Sequence, residues 1–307
     1  MQSHLSDQKG SRRGLSLILL AGVLWGTVGI TSKLLYGTSA TTPLSVGFFR
    51  LAISVPVLLS ACWAVQKSKM FEVARHDLLL MFLTGCMTAL YQLCYLAAVE
   101  RTGVAVATLI TLCTAPVMVA VFSVFITRER PSGYIMLALA GSLAGTAILV
   151  GFQESPGDLG MESSGKLLAL GSAFGYAVIT LTTRRLAGRY HPIQPIAISF
   201  SIGAAILLVI ALAKGIVWQY SPLGWGLLAY LGVIPTALAY VLFIAGMRHT
   251  TSTVASIATL VEPLTSTMLA WVIFGEHFTP LGFTGALLLC VSLALLYRGA
   301  KARRAYR

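Results

Sequence analysis

Residues 253–276 read TVASIATLVEPLTSTMLAWVIFGE. The run 253–274 is long and apolar enough to cross a bilayer core of ~30 Å, which takes ~20 helical residues. It nevertheless carries a carboxylate, Glu262, at its tenth position, followed directly by Pro263. The stretch 106–129, VATLITLCTAPVMVAVFSVFITRE, has the same plan. Arg101, Pro116 and Glu129 precede Arg248, Pro263 and Glu276 by the same 147 residues. A further match pairs Gly22–Gly26 (GVLWG) with Gly171–Gly175 (GSAFG) at an offset of 149, as one small insertion or deletion would give. Several matches spread along the chain point to an internal duplication of an apolar unit.

The rest of the sequence agrees with a membrane setting. Of 307 residues, 57% are hydrophobic and 10% are charged, against ~25% charged in soluble domains. Mean hydropathy is +0.83. A soluble fold of this size needs a more charged surface, so a soluble enzyme, a disordered chain and a nucleic-acid binder are excluded. The net charge of +12 does not argue for nucleic acid, because the charges lie in short breaks between apolar runs. The expected fold class is an all-α integral membrane protein with ten transmembrane helices. The spans are expected near 15–35, 44–65, 77–99, 103–126, 132–150, 165–187, 195–214, 224–247, 253–274 and 280–298. Strand-like alternation is absent, which argues against a β-barrel.

Lysine and arginine set the expected orientation. With the N-terminus inside, 17 of the 22 fall on the inner side, four (Lys33, Arg101, Lys166, Lys214) on the outer side, and Arg50 within a span. That bias favours ten helices with both termini cytoplasmic. Lys9, Arg12 and Arg13 before the first span resemble the basic start of a signal peptide. The apolar run has no clear cleavage site, and an uncleaved first helix is expected. The expected organisation is a cytoplasmic tail 1–14, a first repeat 15–150, an extracytoplasmic loop 151–164, a second repeat 165–298 and a basic cytoplasmic tail 299–307. Short loops and no recognised targeting segment suit the inner (cytoplasmic) membrane of a bacterium.

Five helices per repeat is an odd number, so the second copy must lie inverted relative to the first. Inverted repeats are characteristic of secondary transporters, whose substrate site lies near the midplane between the halves.

Short motifs along the chain also resemble a known family. They are Trp25-Gly26, Phe49-Arg50-Leu51, Thr127-Arg128-Glu129-Arg130, Glu262-Pro263 and Phe274-Gly275-Glu276. In order and spacing they resemble the EamA family of the drug/metabolite transporter superfamily, as two EamA repeats over about 15–297. The resemblance implies a ten-helix bundle around a central cavity, working by alternating access. It also implies export of amino acids, related metabolites or toxic cations, with import in some members. One departure is Ala115-Pro116, which stands where the second repeat has Glu262-Pro263.

Glu262 is the leading candidate. An ionised group at mid-membrane costs at least ~2.5 kcal/mol, so it should face a wet cavity, hold a proton or pair with a cation. Proton coupling, contact with a cationic substrate, and a structural bond between helices all remain open readings. Pro116 and Pro263 remove an amide donor mid-helix and free the carbonyls of Leu112 and Thr259; they are expected to act as hinges or cavity lining. Thr259 and Ser266 share a helical face with Glu262. Tyr91 and Tyr95 form one stripe with Thr84 and Thr88. Thr108 pairs with Thr111, and Tyr176 with Thr180. Trp25 and Tyr240 complete a polar-aromatic lining suited to an amino acid or an organic cation. Arg50 could pair with Glu262, hold a substrate carboxylate or staple exposed carbonyls. The resemblance favours the staple, since an arginine here is common to exporters of varied substrates. Glu129 and Glu276 end matched helices near the interfaces and are expected to make gate or loop contacts.

Cys62, Cys86, Cys94, Cys113 and Cys290 lie in apolar runs without CxxC spacing. They read as small buried hydrophobes, and neither a metal site nor a cofactor is expected. No phosphate-binding loop follows any glycine pair. The expected partners are a small-molecule substrate, the lipid bilayer and protons, with oligomeric state left open. The function read from the sequence is a secondary active transporter, most simply an exporter; if a proton gradient drives it, Glu262 is the expected proton carrier. A facilitative uptake carrier is the nearest alternative. An intramembrane enzyme is disfavoured, because the histidines lie in tails, loops or helix ends and Glu262 is the single deep carboxylate.

Overall fold

In the computed structural model of the chain, residues 2–129, 131–151, 163–275 and 279–302 are described. Ten helices long and apolar enough to cross a membrane follow one another. They are α1 (Ser11–Thr38), α2 (Pro43–Phe71), α3 (Arg75–Gly103), α4 (Val106–Ile126), α5 (Gly133–Val150), α6 (Ser163–Leu186), α7 (Ile193–Lys214), α8 (Pro222–Met247), α9 (Ser252–Phe274) and α10 (Pro280–Arg298). No sheet forms among the described residues. The ten spans match those expected from hydropathy to within a few residues. The helix that carries α1 begins at Gln2, ahead of the apolar span. Of the expected loop 151–164, residues 152–162 lie outside the described residues.

Local chemistry sets the helix ends. Thr42 and Ser221 accept hydrogen bonds from the amides of Ser45 (3.2 Å) and Gly224 (3.1 Å), and proline follows each cap. A side-chain acceptor at the N-cap satisfies a free helix amide, and proline suits the first helical position. Thr279 does the same for α10, accepting from Gly282 at 3.0 Å ahead of Pro280. Between α3 and α4 the chain turns at Gly103, whose φ of 80° and ψ of 163° are open to glycine and strained for other residues.

Packing crosses the two halves in a reciprocal pattern. The first helix of one half, α1, packs on α8 and α9 of the other, while α6 packs on α3 and α4. The second helices α2 and α7 face each other, as do the fifth helices α5 and α10. A two-fold relation between the halves requires this correspondence. Contacts also sort the helix ends onto two faces. One, the basic face, gathers the ends of α2, α4, α6 and α8 with the starts of α3, α7 and α9. The other gathers the end of α1 with the start of α8, and the end of α3 with the start of α6.

Small residues permit these close crossings. A Cβ on Gly145 would sit 2.7 Å from the Leu289 amide nitrogen, so α5 and α10 meet nearly backbone to backbone. Gly145→Val must push the helices apart. It is expected to destabilise the fold by roughly 1–3 kcal/mol, the usual range for overpacking, read as a lower unfolding temperature of the detergent-solubilised protein.

Candidate functional site

The membrane-spanning helix α9 is broken in its middle. Ser252–Ala258 and Val261–Phe274 are separate helical segments joined at Thr259 and Leu260. Pro263 cannot donate to the carbonyl of Thr259. The turn tightens instead, and the Glu262 amide takes that carbonyl at 3.0 Å. The expected free carbonyl at Thr259 is thus already used. Pro116, the matched residue, leaves α4 continuous. The break therefore belongs to one half only.

A second irregularity lies in α8, where Val233–Leu238 is π-helical around Pro235. Pro235 deprives the Leu231 carbonyl of its donor, and the Thr236 hydroxyl replaces it at 2.7 Å. The same hydroxyl accepts a hydrogen bond from Arg50 Nε of α2 at 3.3 Å. One end of the guanidinium is thereby held against α8. Its two terminal amino groups have no hydrogen-bond or ion-pair partner among the described residues.

The break in α9 and the arginine of α2 held against α8 face a common centre. Glu262 lies within electrostatic reach of Arg50, Tyr91, Tyr95, Tyr176 and Tyr240, contributed by four other helices. All six side chains are half-buried. Glu262 and Arg50 nevertheless form no ion pair, and the Glu262 carboxylate has no hydrogen-bond partner among the described residues. Tyr176 shares a 3.0 Å hydrogen bond with Thr259 and lies 6.2 Å, ring to ring, from Tyr91. Tyr95 is bonded to Thr108 at 2.6 Å. Trp25 of α1 packs edge-on to Tyr240 at 4.8 Å, and its indole N–H is buried without a partner among the described residues. Gly26 lets α1 come this close. A Cβ there would meet the Glu262 carbonyl oxygen at 2.8 Å and Thr265 Cβ at 2.6 Å. A narrow pocket between α3, α6, α7 and α8 flanks this cluster and shares Tyr240 with it.

Three expected lining residues are turned elsewhere. Thr111 is buried and donates to the Ala169 carbonyl at 3.3 Å, joining α4 to α6. Thr180 is fully buried and donates back to the Tyr176 carbonyl at 3.0 Å. Ser266 donates to the Pro263 carbonyl at 3.1 Å within its own helix. In each case a backbone acceptor on the same or a packed helix takes the hydroxyl, as is common for Ser and Thr in helices.

Glu129 lies far from this centre, at the basic face. It forms a 3.1 Å ion pair with Arg184 and accepts the Ser252 amide, the first of α9, at 2.8 Å. Arg184 also donates to the Met247 carbonyl at 3.0 Å. Alongside, Asp77 pairs with Arg189 at 2.7 Å and accepts from Tyr190 at 2.8 Å, and Arg248 donates to the Tyr190 carbonyl. Arg248 therefore crosslinks the ends of α6 and α8. Glu276 lies outside the described residues. The Asp77 group and Thr236 were not singled out as candidates from the sequence. Thr236 had a signal, a hydroxyl following a mid-span proline; the Asp77 pair had none beyond charges at helix ends.

Known proteins share this architecture. The chain matches the EamA-like transporter family twice, over residues 12–151 and 163–298. It is 31% identical to the uncharacterized transporter YwfM of Bacillus subtilis, with 91% of this chain and 92% of that protein covered. It is 29% identical to the uncharacterized inner membrane transporter YicL of Salmonella typhimurium, covering 95% and 98%. Similarity extends to the pseudopaline exporter CntI of Pseudomonas aeruginosa, at 24% identity over 92% of this chain and 96% of that one. A solved crystal structure superposes with a TM-score of 0.79 over 95% of this chain and 99% of the other at 21% identity, a likeness of fold. Two matched repeats, ten apolar helices and reciprocal packing of the halves converge: this multi-pass membrane protein belongs to the EamA-like transporter family.

Proposed function

We propose that the chain is a proton-coupled secondary transporter that exports a small zwitterionic metabolite by alternating access across the bacterial inner membrane. The observation that carries this reading is that Arg50 and Glu262, half-buried in one cluster and within each other's field, have no ion-pair partner among the described residues. Charges left unpaired at this depth are expensive, and a bound molecule that completes both removes that cost. A substrate carboxylate fits the free fork of Arg50 in the bidentate manner guanidinium favours. A substrate ammonium fits Glu262, with the tyrosine faces and Trp25 beside it for cation–π and apolar contact. A cation without a carboxylate would leave Arg50 unmatched, so zwitterions are favoured over simple organic cations. A proton on Glu262 neutralises its carboxylate while no substrate ammonium is there to balance it, and exchange of that proton for the ammonium couples export to proton entry.

The excess of Lys and Arg at the basic face supports placing that face and both termini in the cytoplasm. Export is supported by a curated relative named as an exporter. The partners are then substrate, protons and lipid, without nucleic acid and without a catalysed reaction. The test is flux in proteoliposomes with pooled amino acids and pooled organic cations, with and without an imposed pH gradient. Faster movement of the zwitterionic pool under the gradient, lost when the gradient is collapsed, is the expected result. Gradient-independent movement would make the protein a facilitative carrier, and preference for the cation pool would remove Arg50 from the substrate contact.

A further inference from the structure

The two ends of the bundle are closed to different degrees. At the repeat offset of 147, positions 253–258 of α9 match 106–111 of α4. All of 253–258 except Val254 are buried, whereas among 106–111 Ala107 and Thr111 are buried and the rest are half-exposed. The short first segment of α9, Ser252–Ala258, is thus packed into the basic end as a plug, and its counterpart at the other end is not.

What holds the plug is ionic and joins the two halves. Glu129, at the end of α4, bonds both Arg184 at the end of α6 and the leading amide of α9. A carboxylate at a helix N-terminus also meets the positive end of the helix dipole. Ser123 of α4 adds a hydroxyl contact to Thr253 at 3.2 Å. The second pair, Asp77 with Arg189, bridges the start of α3 and the loop after α6. Both of these ion pairs lie at the basic face. The segment's far end is the break at Thr259 and Leu260, next to Glu262.

We infer that Ser252–Ala258 is a gate at the basic face, latched by Glu129 and Arg184 and hinged at Thr259–Leu260, so that this structure is the state closed on that side. The inference rests on the alternating-access reading above. Opening requires the Glu129–Arg184–Ser252 bonds to break, and the hinge lets the segment swing without unfolding the second half of α9. Because the hinge adjoins Glu262, occupancy of the central site and opening of the gate share one element. In a two-state element of this kind, a group that stabilises one state alone shifts the populations by its differential bonding.

The test uses accessibility and needs no substrate, so its result stands whatever the flux assay returns. In a cysteine-free background, Ser256→Cys reports on the plug and Thr108→Cys on the opposite end. A hydrophilic maleimide is applied to the purified protein in detergent, where both faces are reachable. Glu129→Gln is expected to raise the labelling rate of Ser256→Cys by about tenfold or more, since it removes a charge-assisted interaction present in the closed state alone. Labelling of Thr108→Cys is expected to fall as the other end closes. Arg184→Lys, which keeps the charge and loses the bond to Met247, serves as the second variant if Glu129→Gln does not fold. A rise at both reporters would mean general loosening and overturn the gate. Unchanged labelling of Ser256→Cys in a folded variant would overturn the latch.

Discussion

In proteoliposomes, Glu262→Gln is expected to lose the response of flux to a pH gradient and to move a zwitterionic substrate about 10–100-fold more slowly. Glutamine keeps the shape and the hydrogen-bonding capacity of the side chain but can neither bind a proton nor balance an ammonium. Hydrogen bonds to charged groups contribute about 1.5–3 kcal/mol, and each 1.4 kcal/mol is a factor of ten. The fold should survive, because the Glu262 carboxylate makes no hydrogen bond or ion pair among the described residues that glutamine would break. The bond that shapes the turn runs from its backbone amide to the Thr259 carbonyl, and the substitution leaves it in place. Gradient-driven flux that persists in Glu262→Gln would assign coupling to another group.

Arg50 is expected to give the second large effect, and its pattern distinguishes recognition from packing. Arg50→Ala removes both the Nε bond to Thr236 and the free fork. The Thr236 hydroxyl remains satisfied through Leu231 at 2.7 Å, so the π-helical turn of α8 keeps its own support. The half-saturating concentration of a carboxylate-bearing substrate should rise about 10–100-fold in the alanine variant. Arg50→Lys should recover part of that loss, as it restores the charge without the planar fork. Transport of the corresponding amide, which lacks the carboxylate, should change little in either variant. Equal losses for acid and amide would return Arg50 to a purely structural role.

Both predictions draw on residues visible in the sequence, but for different reasons. Glu262 stands out because hydropathy is a local property: one acid in a 22-residue apolar run is conspicuous without any tertiary information. The same holds for the ten spans, whose ends follow from proline, N-cap hydroxyls and charges adjacent in the chain. Helical spacing was a weaker guide to the lining. It grouped Thr180 with Tyr176 and Thr111 with Thr108, but it could not say where each hydroxyl would find an acceptor. Thr180 turned to its own helix, Thr111 bonded across to Ala169, and Thr108 met Tyr95.

The helical class, the number of spans, the duplication with its inverted second copy and one deep carboxylate are all legible in the linear chain. Each follows from composition, run length or self-similarity, which are properties of the linear chain. Tertiary structure decided that Arg50 is fastened to Thr236 while its fork stays free, and that it stands near Glu262 without pairing to it. It also decided that the two prolines are unequal, with α9 broken at Pro263 and α4 continuous through Pro116. The ionic closure of one end by Glu129 and Arg184 is likewise a tertiary result. These contacts join residues from about 55 to nearly 190 positions apart, and their geometry depends on how close two helices approach and which rotamers that separation leaves open. A pattern read along one helix carries no term for either.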